Sequence, residues 1–260
     1  MKIINTVAAL QHAVTEAKQQ GLSVGLVPTM GALHEGHASL IRQSMAENQL
    51  TVVSVFVNPT QFNDPKDLQH YPRTFEADAQ LIASLGGDVV FAPSVEEVYP
   101  QEDTRVFAYP PIDTVMEGAR RPGHFNGVCQ IVSKLFDMVS PDKAYFGEKD
   151  FQQIAVVRAM MRDLGYKFQL VPCPIVREES GLALSSRNAL MSDEERVLAT
   201  NIYRTLRESV DYAQSHSVAE TQQFVVNQLN ALEGLEVEYF AIVDGQTLTD
   251  IGNWEDSDEV

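Results

Sequence analysis

Two histidines three residues apart, His34 and His37, lie in a stretch whose order of residue types favours binding an anion. An apolar run, Val24 to Val27, reads as a buried strand, and Pro28 ends it. Met30-Gly31-Ala32-Leu33-His34-Glu35-Gly36-His37 follows as a loop, and Ala38 to Met45 reads as the start of a helix. Strand, loop and helix start bring free backbone N–H groups and the positive end of a helix dipole together. An imidazole there can donate to a phosphate oxygen, more strongly when protonated. A metal pair is a second use of the two histidines, although there is no His-Glu-x-x-His and no evident third ligand. A third is two histidines satisfied within the fold. The common phosphate loops are absent. No Gly-x-Gly-x-x-Gly follows the strand, and where Gly31 and Gly36 have P-loop spacing, His37-Ala38 replaces the Lys-Ser/Thr.

Four further stretches carry groups suited to the same chemistry. Gly147-Glu148-Lys149-Asp150 follows a short apolar run, with Gln153 three residues on. Lys149 can neutralise a phosphate while Asp150 accepts from a ribose hydroxyl; the plainer reading is a surface ion pair. Ser185-Ser186-Arg187 offers two hydroxyls and a guanidinium, which suits a triphosphate clamp or an ordinary turn. Asn58 and Gln61 carry no charge and suit orienting a polar substrate better than proton transfer. Arg120-Arg121-Pro122-Gly123-His124-Phe125 is a basic spot that can meet a carboxylate or phosphate, or lie solvated. Each stretch is weak alone. Together they compose a basic, hydroxyl-rich island.

The elements that must position these groups alternate. Strands are expected near 23–27, 51–57, 88–92, 144–146 and 168–171, and helices near 7–20, 38–48, 74–85, 125–139 and 151–164. Such alternation predicts an α/β fold, a parallel sheet with helices on both faces. Ligands then bind beyond the carboxyl ends of the strands, where three of the polar loops would converge. Residues 93–123, with Pro100, Pro110, Pro111 and Pro122, form an irregular connection long enough to be functional or mobile.

After residue 176 the pattern changes. Ser192 and Glu195 form a capping box opening a helix to about residue 214; a second helix covers 218–232 and an alternating strand 236–243. We therefore expect two domains, 1–176 and a smaller α+β unit, 177–260. The acidic tail reads as solvated.

With 36 Asp and Glu against 19 Lys and Arg, the net charge of −17 makes nucleic acid a poor default partner. Phosphate binding would then need a local basic island. Cys129 and Cys173 sit in apolar runs far apart, as buried thiols rather than a disulfide framework or zinc ribbon. No signal-peptide core and no apolar run near ~20 residues is seen, so the expectation is a cytoplasmic protein with no membrane partner.

Five motifs, taken in order, resemble those of the pantothenate synthetase (pantoate–β-alanine ligase) family. They are Pro28-Thr29-Met30-Gly31-Ala32-Leu33-His34-Glu35-Gly36-His37, Phe56-Val57-Asn58-Pro59-Thr60-Gln61-Phe62, Arg121-Pro122-Gly123-His124-Phe125, Gly147-Glu148-Lys149-Asp150-Phe151-Gln152-Gln153 and Leu184-Ser185-Ser186-Arg187-Asn188. The first carries the His-x-Gly-His signature of the nucleotidyltransferase superfamily, so another superfamily member acting on a different small acid is the alternative reading. A nucleotide sensor built on an inactive ligase is the non-enzyme alternative.

The resemblance implies a Rossmann-like doubly wound sheet, a homodimer, and a two-step reaction. ATP with magnesium and pantoate would give pantoyl adenylate and pyrophosphate; β-alanine would then give pantothenate and AMP. It places Pro28, Met30, Gly31, Ala32, Leu33, His34, Glu35, Gly36 and His37 at ATP, with Gly147, Glu148, Lys149, Asp150, Val176, Leu184, Ser185, Ser186 and Arg187. His37, His34, Lys149, Ser185 and Arg187 would be catalytic. Gln61 and Gln153 would hold pantoate, with Gln61 also near β-alanine; Asn58 and Arg121 are further candidates for the substrate. Asp78 would be a magnesium-side acid, the metal being held mostly by phosphates. The family continues beyond residues 238–244 into another strand, so a C-terminal sheet short of one strand is expected.

Overall fold

The computed structural model describes residues 1–260. Six strands form one parallel sheet: β1 (Lys2–Ile4), β2 (Val24–Thr29), β3 (Leu50–Val55), β4 (Val89–Phe91), β5 (Lys143–Gly147) and β6 (Gln169–Cys173). Their spatial order is β1-β4-β3-β2-β5-β6, every pair parallel. This is the expected α/β architecture. Short apolar β-branched runs such as Thr51-Val52-Val53 are buried on both faces, as a parallel sheet requires. The edge strand β1 is an addition to the expected elements; it is defined by its pairing with β4 rather than by a bounded apolar run.

Between the strands lie α1 (Val7–Gln19), α2 (Glu35–Glu47), α3 (Pro65–His70), α4 (Phe75–Leu85), α5 (Val95–Val98), α6 (Met116–Arg120), α7 (His124–Val139) and α8 (Phe151–Leu164). One face of the sheet carries the larger apolar core, in which Leu10 and Val14 of α1 meet Phe136 of α7 and Met160 of α8. The other is closed by Leu40 and Ile41 of α2 and Ile82 of α4. The free Cys129 and Cys173 are buried, as their apolar setting predicted.

The connection 93–123 is tied down rather than loose. Gln130 of α7 donates to the carbonyls of Asp103 and Arg105 at 2.9 Å each, and Gln152 of α8 donates to those of Ile112 and Val115 at 2.8 Å. Asp103 pairs with Arg105 and Lys134, which hold its carboxyl down at about 2.

After β6 the chain forms α9 (Asp193–Ala213) and α10 (Val218–Asn230), each opened by a Ser/Glu capping box. Residues 236–243 do not make the expected strand. They run as irregular chain with a single antiparallel bridge, Val243 to Asp250, while Ile242, Val218 and Ile251 pack with Phe240 and Trp254. Alternation was present, but no neighbouring strand is there to complete a ladder.

Candidate active site

The strand order reverses between β2 and β5. From β2 the chain proceeds through β3 to β4 on one side, then returns to place β5 and β6 on the other. The loops leaving β2 and β5 diverge there and open a crevice at the carboxyl ends of the strands. A cavity lies here. Its lining includes Pro28, Met30, His34, Gly36, His37, Asn58, Gln61, Arg121, Gly147, Lys149, Asp150, Gln153, Val176, Leu184, Ser185, Ser186 and Arg187. Five separate stretches of sequence thus meet in one place. Arg121, Lys149 and Arg187 face it with Asp150 as the one carboxylate, a local cationic island in a chain of net charge −17.

Helix α2 begins at Glu35, three residues earlier than its apolar pattern suggests, so His37 sits in its first turn. The two histidines cap the helix. His34 Nδ1 accepts from the Gly36 N–H at 3.1 Å, and His37 Nδ1 accepts from the His34 N–H at 3.3 Å. Their rings lie 4.1 Å apart. Histidine is not among the favoured cap residues, which is why the sequence concealed this. An Nδ1 that accepts carries no proton, so each neutral ring bears its hydrogen on Nε2. Burial, then the charges of His34 and Lys149, pull His37 down to about 3, and burial followed by Lys149 lowers His34. The pair is therefore two uncharged donors at a helix N-terminus.

Asp78, expected as a magnesium-side acid, stands behind the histidine loop. It is 2% exposed, on α4, and does not line the cavity. Its carboxylate accepts from the backbone N–H groups of Ala32 at 3.0 Å and Leu33 at 2.8 Å, and from the Thr74 hydroxyl at 3.2 Å. These bonds use its oxygens to fix the loop. Gly31, Ala32 and Leu33 form the part of the loop turned toward Asp78 rather than the cavity, Gly31 at φ +83°. Glu35 lies outside as well, paired with Arg42, and Glu148 is also off the lining. We expect Asp78→Ala to strand two N–H groups at about 1–3 kcal/mol each, lowering the melting temperature while leaving the magnesium dependence of the rate unchanged. Thermal unfolding beside a magnesium titration checks this; an altered metal requirement in an undiminished fold would restore the acid to the metal.

Gln61 is oriented from behind. Asn58, 1% exposed, donates through Nδ2 to the Gly127 carbonyl at 3.1 Å and to Gln61 Oε1 at 3.2 Å. A backbone carbonyl only accepts, so the Asn58 amide has one orientation, with Oδ1 accepting from the Tyr99 hydroxyl at 2.8 Å. Gln61 must then turn Nε2 outward, where it meets Met30 Sδ at 3.2 Å. It offers the cavity donors, which suit a carboxylate or hydroxyl oxygen. Gly127 is required for this approach, because a Cβ there would fall 2.3 Å from the Thr60 carbonyl oxygen. Gln153 lines the same cavity, half-buried.

The last wall comes from residues 176–188. The Leu184 N–H donates to the Val176 carbonyl at 3.0 Å, and Ser186 Oγ donates to the Ala32 carbonyl at 3.0 Å, binding this segment to the histidine loop. Arg187 donates to both oxygens of Asp67, at 2.8 and 3.1 Å, over the Tyr71 ring. His124 also lines the cavity, although its residue type had drawn no role beyond a basic spot. The signal was its place beside Arg121.

Residues 2–259 match the family model described as pantoate-beta-alanine ligase. The chain belongs to the pantoate-beta-alanine ligase family. Pantothenate synthetases of Bacteroides thetaiotaomicron and Porphyromonas gingivalis are 62% and 58% identical, with 99% of this chain covered in each case and 91% and 92% of theirs. The crystal structure of pantothenate synthetase from Thermus thermophilus superposes with a TM-score of 0.92 at 46% identity, covering 98% of this chain and 91% of that one. The pantoate-beta-alanine ligase of Francisella tularensis, complexed with beta-gamma ATP and beta-alanine, gives 0.82 at 35% identity, covering 94% and 90%. This ligase family is one of enzymes, and its reaction joins pantoate to β-alanine.

Proposed function

We propose that the ligation runs through a pantoyl adenylate, with ATP as co-substrate and AMP and pyrophosphate as products. The observation that carries this is one cavity lined by two kinds of group. His34, His37, Lys149 and Arg187 are donors and charges suited to phosphate, and Gln61, Gln153 and Arg121 are neutral and cationic groups suited to a carboxylate. The Francisella tularensis relative bound to a nucleotide and β-alanine supports it.

In the first step the pantoate carboxylate attacks the α-phosphorus and pyrophosphate leaves. This chemistry needs alignment and charge neutralisation more than a base. Gln61 and Gln153 hold the acid, with Asn58 fixing Gln61. Lys149 neutralises phosphate charge, His37 and His34 donate neutral N–H groups to it, and Ser185, Ser186 and Arg187 close over it. Asp150 takes the ribose; Gly147 and Val176 lie along the nucleotide. Arg187 must exchange Asp67 for phosphate on the way. In the second step the β-alanine amine attacks the acyl carbonyl and AMP departs.

Magnesium belongs to this reading as the companion of the ATP phosphates. No three His, Cys, Asp or Glu side chains stand together as a metal site, and Asp78 is already occupied by backbone donors. No step is routed through the ion. The same reading takes 1–176 as the nucleotide- and pantoate-binding domain, 177–260 as a smaller lid domain, the enzyme as a homodimer, and its location as the cytoplasm. No helix is long and apolar enough to cross a membrane.

The test is AMP formation. AMP should appear only with ATP, pantoate and β-alanine together, and pyrophosphate should exchange into ATP when pantoate alone is added. AMP release without β-alanine, or exchange without pantoate, would contradict the two-step scheme.

A further inference from the structure

His124 opens helix α7 and is 8% exposed. Its Nδ1 lies 2.8 Å from the backbone carbonyl oxygen of Gln61. A carbonyl cannot donate, so Nδ1 carries the hydrogen and the neutral ring has its lone pair on Nε2. This is the opposite tautomer from His34 and His37, whose Nδ1 atoms accept. Nε2 of His124 has no protein partner, and it is not one of the two sealed, unsatisfied side-chain atoms, which are Asn48 Oδ1 and Asp113 Oδ1. His124 lines the cavity with Gln61, Arg121 and Gln153, and Nε2 is its one ring nitrogen that the protein leaves unengaged. The three histidines divide the work by geometry: two offer protons to the cavity, one offers a lone pair.

The charged groups around it are mixed. Burial is the largest influence and pulls the ring below its ordinary pKa, Arg121 adds to that, and the bond to the Gln61 carbonyl, Glu117 of α6 and Asp150 oppose it. The two carboxylates are already engaged: Glu117 accepts from the Tyr239 hydroxyl at 3.0 Å and Asp150 pairs with Lys149 at 3.2 Å. Amide formation has a need that the first step lacks. β-Alanine arrives as an ammonium ion and must shed two protons before the amide is complete.

We propose that His124 is the general base of the amide-forming step, accepting a proton from the β-alanine nitrogen through Nε2. The assignment rests on the two-step reading above. One ammonium proton goes to solvent to give the amine. The nitrogen lone pair then forms the C–N bond and the carbonyl π pair moves to oxygen. As that pair returns, the carbon–oxygen bond to AMP breaks and AMP leaves with its electrons. The remaining excess proton on nitrogen passes to His124 Nε2 and from there to water. The Gln61 carbonyl fixes the ring, as a carboxylate fixes the base in other proton-transfer sites.

The discriminating variant is His124→Asn. Its Nδ2 can keep the hydrogen bond to the Gln61 carbonyl, while nothing remains at Nε2. Pantoate-dependent pyrophosphate exchange should stay within about threefold of wild type, and pantothenate formation from β-alanine should fall about 100-fold. Hydroxylamine, uncharged at neutral pH, needs less help from a base; hydroxamate formation by the variant should remain close to wild type. If His124→Asn does not fold, His124→Gln serves instead: its amide reaches the Nε2 position, where it cannot take up a proton, and the same selective loss with β-alanine is expected. Wild-type turnover with β-alanine, or equal losses with both nucleophiles, overturns the assignment. A wild-type chain without pantoate-dependent exchange overturns the two-step reading and the base with it.

Discussion

Lys149→Ala should reduce pantoate-dependent pyrophosphate exchange by about 10²–10³-fold, the usual cost of removing a placed donor from a developing charge. The fold should survive. Lys149 is 40% exposed, and its one partner in the protein is Asp150 at 3.2 Å, an exposed pair of the kind that contributes about 0–1 kcal/mol. The loss should therefore appear in the rate and not in thermal unfolding. Lys149→Arg should recover only part of the rate, since a planar fork on a different stem does not reproduce a point charge. A folded Lys149→Ala protein exchanging at the wild-type rate would remove the lysine from phosphate binding.

His37→Ala should cost at least about 10²-fold in the same exchange, and His37→Gln should restore part of it. The reason is the tautomer. His37 accepts through Nδ1 from the His34 N–H, so what it presents is an Nε2–H, and the glutamine amide can place an N–H near that position. The side chain works uncharged. Its pKa of about 3 lies far below the ordinary imidazole value, with burial as the main cause. The exchange rate should thus show no inflection near pH 6.5 that His37→Gln abolishes; finding one would mean that the protonated ring is the working form. Stability follows in a defined direction. The unfolded chain binds a proton to His37 near pH 6.5 and the folded chain only near 3. The contribution to stability is complete above 6.5 and is lost as the pH falls from there toward 3.

The fold was largely legible because its signals are local. Apolar runs of three to seven residues alternate with helical periodicity, and each polar loop announces the end of a strand. What escaped notice lacked a local signal. Strand β1 is three residues long and gains its identity from pairing with β4. Residues 236–243 alternate as a strand does, but a strand is completed by a neighbour, and their one pairing is the bridge at Val243. The family resemblance offered Asp78 as a magnesium-side acid. Only the packing of α4 against the histidine loop shows its oxygens taken by Ala32, Leu33 and Thr74.

Residue types alone set which chemistry was possible. They fix donors, acceptors and charge wherever the chain goes, and the five motifs in order carried the family. Folding then settled how those groups act. The reversal of strand order between β2 and β5 made one cavity of five distant stretches. Backbone carbonyls and N–H groups, invisible as side-chain types, set the directions: Gly127 orients Asn58 and so Gln61, while Gln61 itself orients His124. A histidine's name does not say which nitrogen holds the proton. The backbone atom it faces decides that, which is why His34, His37 and His124 read alike in the sequence and differ in the cavity.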